Sequence, residues 1–178
     1  MARTDHFGFA ETPTHTWVRL RYLGADLAMD LVLPAAGQAI DVAEAALLGK
    51  VPQLKGEHLA LRLPKFTVKA RHRLVPVLQA LGMRAAFDGV AADFSPINGK
   101  DSGPDKLVVS EVAHQAWIQV DETGTEAAAA TAVVMKRLGA PAGEPRKLVF
   151  DREFAFAIRD LRTGLLLFVG RVTDPRDR

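Results

Sequence analysis

The residues able to do acid–base or nucleophilic chemistry are few. The histidines are His6, His15, His58, His72 and His114, and the serines are Ser95, Ser102 and Ser110. Ser110 and His114 stand four residues apart, close enough in sequence to suggest a nucleophile and its base. Their surroundings read as a strand, which would put both on one face without making them neighbours. Polar residues that satisfy each other are the plainer reading. No histidines show the HExxH spacing of a zinc site, and there is no GxSxG elbow, P-loop or GxGxxG. With no cysteine, the chain has neither thiolate metal ligands nor a disulfide framework. It therefore reads as a non-enzyme without cofactor or metal.

The segment that stands out is Thr123-Gly124-Thr125-Glu126-Ala127-Ala128-Ala129-Ala130-Thr131. Alanine is the best helix former, so local propensity favours a short helix here. Two features oppose it. Gly124 supplies a pivot just ahead of the run, and the run drifts into β-branched Thr131, Val133 and Val134. Laid out as a strand, Thr125, Ala127, Ala129, Thr131 and Val133 share one face of small or β-branched side chains. Glu126 falls on the other face, away from any sheet interior. Small side chains let a segment be loop in one state and strand in another, because they enter a sheet without clash.

The elements around this segment follow from periodicity. Trp17 to Gly24 alternates apolar and polar residues, and Leu27 to Leu33 reads as a more buried strand stopped by Pro34. With the turn at Gly24-Ala25-Asp26 they form a β-hairpin. Asp41 caps a helix over Val42 to Leu48, with Glu44 in capping-box position and Gly49 closing it. His58 to Leu63 alternates again. A helix is expected from about Leu74 to Leu81, with Pro76 in its first turn and Gly82 after its end. Lys106 to Val120 reads as one long strand. Gly139 to Pro145 reads as exposed loop. Phe154 to Arg159 and Leu165 to Val172 form a terminal hairpin around Asp160 to Gly164. The expected class is α+β, dominated by antiparallel strands with two or three helices.

Composition narrows the function. Apolar residues make up 48% and charged residues 25%, as in ordinary globular domains. The formal charge of +2 is dispersed, and no basic run with interleaved aromatics suggests nucleic acid. Leu165 to Val169 falls far short of the roughly 18 apolar residues that a membrane helix needs. Met1 to His6 is polar and has no signal-peptide core. Neither nucleic acid nor membrane is expected as a partner, and the compartment is left open.

Val109-Ser110-Glu111-Val112-Ala113-His114-Gln115-Ala116, followed by Asp121-Glu122 and the small-residue run to Thr131, resembles the serpins. In that family the fifth strand of sheet A runs into the hinge of a protease-bait loop. Other matches follow in order: Leu33-Pro34, Leu63-Pro64-Lys65-Phe66, Leu81 to Phe87, Ala92 to Ser95, Phe154-Ala155-Phe156 and Leu167 to Val172. The resemblance covers nearly the whole chain and implies a single serpin-like domain over residues 1–178, built from C-terminal parts of sheets A, B and C. It implies a serine protease inhibitor whose loop, about residues 122–146, is cleaved and then inserts into a β-sheet. The hinge would be Glu122, Thr123, Gly124, Thr125, Glu126, Ala127, Ala128, Ala129 and Ala130. Its small residues are the inhibitory pattern. The family's spacing puts the scissile bond at Leu138-Gly139, suited to a chymotrypsin-like protease. The basic pair Lys136 and Arg137 is the alternative, suited to a trypsin-like one. His114 matches a histidine that hydrogen-bonds across the sheet as a structural switch. Family members are commonly extracellular.

Serpins are about twice this long. The chain is therefore expected to lack the N-terminal helical half and the third strand of sheet A, between which and the fifth the loop inserts. A serpin remnant that is merely cleaved, or that assembles through an open strand edge, is the competing reading. An N-terminal serpin fragment or a second copy would be the partner.

Overall fold

The computed structural model describes residues 1–24, 26–40, 51–121 and 143–175. The helix expected over Val42 to Leu48, with Asp41 and Gly49 at its ends, lies outside them. The chain divides into two compact units, Met1–Val68 with Gln119–Arg178, and Lys69–Ile118.

The first unit is built on a sheet of seven described strands. These are β1 (Ala2–Glu11), β2 (His15–Arg21), β3 (Leu27–Pro34), β4 (Lys55–Arg62), β7 (Arg146–Val149), β8 (Phe154–Asp160) and β9 (Leu166–Val172). Their order is β7-β4-β1-β2-β3-β8-β9. Only the β4–β7 pairing is parallel, with Leu59 opposite Arg146; the others are antiparallel. The two expected hairpins are present. In the first, Gly24 takes φ 93°, a left-handed conformation that glycine adopts without steric cost, and Tyr22 N–H donates to Leu27 C=O at 3.0 Å. In the second, the Asp160 carboxylate accepts 2.8 Å bonds from the Arg162 and Thr163 amides.

The core centres on β3 and β8, which are buried along nearly their whole length. Val18, Leu31, Phe154 and Phe156 are buried, and each such side chain contributes about 1.5–3 kcal/mol on leaving water. Phe66 sits edge-on to Phe154 at 5.5 Å and tilted against Phe156 at 5.3 Å, and Phe150 meets Phe154 edge-on at 5.2 Å. The edge-on arrangement of the two Phe154 pairs is a favoured geometry for aromatic rings. Gly170 on β9 lies under the Phe156 ring; an added Cβ would come within 2.4 Å of it.

One buried group was not anticipated from the sequence. Asp30, on β3, is 1% exposed and holds two arginines. Arg19 on β2 donates to it in bidentate fashion at 2.6 and 2.9 Å. Arg159 on β8 places Nε 2.7 Å from Oδ2, a charge contact outside hydrogen-bond alignment. Register explains the meeting, since Asp30 stands opposite Arg19 on one side and Ala157 on the other.

The second unit holds most of the two-stranded sheet β5 (Phe66–Arg73) and β6 (Ala113–Val120), together with α1 (Val75–Ala80) and α2 (Ser95–Asn98). Helix α1 has proline in its first turn, and Gly82 follows it at φ 101°. The long strand expected from Lys106 is shorter: only Ala113–Val120 is strand. Upstream, Val109 N–H bonds instead to Ala86 C=O at 3.0 Å, so this stretch meets a turn and has no strand partner among the described residues.

The N-terminus also differs from its reading. Met1 to His6 looks merely polar, yet it opens β1, which pairs with β4 from Ala2↔Arg62 to Phe9↔Lys55. The class is α+β, with mainly antiparallel strands and few helices, as expected.

Candidate functional site

The hinge residues Glu122 to Ala130, the bond Leu138-Gly139 and the pair Lys136 and Arg137 all lie outside the described residues. What the structure gives is the two strands from which that stretch departs and to which it returns. Strand β6 ends at Val120, with Asp121 following, and β7 begins at Arg146.

On the leading side, β6 is paired with β5. The end of β5 is tied to the start of β6 by Leu74 N–H to Val112 C=O at 2.9 Å and by an exposed Arg73–Glu111 ion pair at 2.9 Å. Along β6, Gln115, Trp117 and Gln119 are exposed while Ala116, Ile118 and Val120 are half-buried, the alternation of a strand with one covered face. Trp117 is 58% exposed. His114, on β6, is also exposed. Ser110 lies just before β6, likewise exposed, and no hydrogen bond joins it to His114.

On the trailing side, β7 is a four-residue parallel strand at the edge of the described sheet. It was not recognised in the sequence, where it follows a Gly/Pro-rich loop and carries two cations. Its side chains are largely exposed, with only Leu148 half-buried. Beyond it, Phe150 is buried and its N–H donates to Arg62 C=O at 2.9 Å. At the near end, Arg146 Nη2 donates to both carboxylate oxygens of Glu11 at 2.8 Å. The guanidinium carbon lies 4.9 Å from the centre of the Phe9 ring. The described strands flanking the stretch in sequence are thus β6 before it and β7, at the edge of the larger described sheet, after it.

Comparison with known proteins fits this architecture. The family model described as serpin (serine protease inhibitor) matches residues 1–175. An uncharacterised serpin-like protein of Thermococcus kodakarensis is 36% identical over 99% of this chain, which covers 41% of that protein. Human serpin B8 is 36% identical over 94% of this chain and 45% of its own length. Among solved structures, the thermophilic serpin tengpin in its native state superposes with a TM-score of 0.71 at 27% identity, over 98% of this chain and 45% of tengpin. The chain thus spans less than half the length of the relatives it matches.

Proposed function

The chain belongs to the serpin family, and from that premise we propose that residues 122–146 are bait for a serine protease. The observation that carries this reading is the run of small residues from Thr123 to Ala130, set between β6 and β7. The protease serine would attack the Leu138 carbonyl. The C–N bond to Gly139 would break, leaving Leu138 as an acyl ester and Gly139 as a new amine. The alternative sites after Lys136 and Arg137 differ only in the protease they suit. The freed hinge would then add to a sheet as a strand, a mode of recognition of which serpin loops are a known instance. Its alanines and threonines meet the steric demand of that step. In this reading the chain is consumed as a substrate and is not itself a catalyst.

A second reading has its own observation. Leu167, Phe168 and Val169 on edge strand β9 are each about 40% exposed, a greasy edge of the kind that takes up another chain. In this reading the chain is cleaved without trapping, and an N-terminal serpin fragment or a second copy covers that edge.

Incubation with trypsin and with chymotrypsin, read by denaturing gel and intact mass, decides between them. A denaturant-stable band at the summed mass supports trapping, and Thr125→Arg in the hinge should convert that band into cleaved product. Cleavage between Lys136 and Gly139 with no adduct supports the second reading. The mass of the released peptide fixes the bond.

A further inference from the structure

Strand β7 is held unevenly. Its backbone ladder to β4 covers four residues, Arg146 to Val149. Arg146 and Lys147 are exposed, Val149 is 41% exposed and Leu148 is half-buried, so apolar burial contributes little along its length. The trailing end is fixed by Phe150, 2% exposed and packed on Phe154. Among the described residues, the leading end has no such buried apolar anchor. It has the Arg146 side chain, which crosses to β1, grips both oxygens of Glu11 and covers the Phe9 ring.

We infer that Arg146 is a latch: a positioning residue that keeps the leading end of β7 on the sheet, while Phe150 acts as the fixed end about which the strand can peel. A guanidinium suits the task. Its Nη2 reaches both carboxylate oxygens while the planar group lies over the aromatic ring, and an ammonium lacks that planar face. Both charged partners are about half exposed, so the ion-pair component is screened by salt. The latch is therefore sensitive to ionic strength, whereas the Phe150 end is not. Its bearing on the bait rests on the reading above: a latched β7 fixes one end of the stretch that a protease must seize.

The test needs no protease, so its failure stands apart from failure of the inhibitor reading. Amide exchange is followed residue by residue in the whole chain. Arg146→Ala should accelerate exchange at Leu148, whose amide faces β4 as that of Phe150 does, by roughly five- to tenfold, the combined size of an exposed ion pair and a cation–π contact. Exchange in β2, β3 and β8 and the thermal midpoint should be unchanged. Glu11→Gln, which keeps the shape and removes the charge, should give part of the effect. Arg146→Lys should restore part of it, and Arg146→Met, which keeps only the apolar stem, should restore none. Raising salt to 0.5 M should accelerate β7 exchange in the parent chain and not in Arg146→Ala. Unchanged exchange at β7, restoration by methionine, or acceleration spread evenly through β1 and β4 would each overturn the assignment.

Discussion

Asp30 is the most demanding residue in the larger sheet. A buried carboxylate between Arg19 and Arg159 leaves two desolvated cations if it is removed. Breaking such a group by deleting one member costs about 3–5 kcal/mol. Asp30→Ala should therefore lower the urea midpoint by a corresponding amount without changing the slope of the transition. Replacing Asp30, Arg19 and Arg159 together by apolar residues should restore most of the loss. Gly170 makes the opposite demand, for space. Gly170→Ala pushes a methyl into the Phe156 ring, and overpacking of this kind costs about 1–3 kcal/mol. Thermal denaturation of Gly170→Ala alone and with Phe156→Leu checks it, since the smaller partner should reduce the cost of the added methyl. Neither demand was legible in the sequence. The three charged residues are scattered along the chain, and only the register of β2, β3 and β8 brings them together.

At the scale of elements, both hairpins were legible because alternation and turn chemistry agree. In the terminal one, the Thr163 amide, then the Thr163 hydroxyl and the Arg162 amide, bind the Asp160 carboxylate and lower its pKa. A group depressed on folding adds stability above its unfolded pKa and loses it as pH falls through the folded value. Lowering the pH from 5 towards 2 should thus weaken the parent hairpin more than Asp160→Asn, as read by amide exchange in β8 and β9. Strands β1 and β7 escaped notice for a shared reason. Their propensity is poor and charged residues interrupt them, so their structure comes from β4, which lies between the two. The stretch from Lys106 to Val112 shows the converse. Its β-branched run looks like strand, but the partner that would make it one is absent from the described sheet. The proposed hinge rests on composition and order of residues; of the two strands that flank it, β6 was expected and β7 emerged only with the fold.

For the whole molecule, the chain's match to less than half of its relatives' length agrees with the exposed residues of β9 and with Trp117. Light scattering should report self-association that falls when Phe168 on the edge strand is changed to Glu; a monodisperse parent chain would remove support for the edge as a contact surface. Sheet order carries a last consequence, for synthesis. Strand β3 takes its second neighbour from β8, and Arg152 closes onto the Pro34 carbonyl from 118 residues away. At ~5–20 residues per second, a ribosome leaves β3 waiting for ~6–24 s with Leu31 and Val32 on an unfilled edge. The nascent chain is therefore most vulnerable to aggregation just before its final two strands emerge, and chains stalled before residue 150 should engage holding chaperones far more than completed ones.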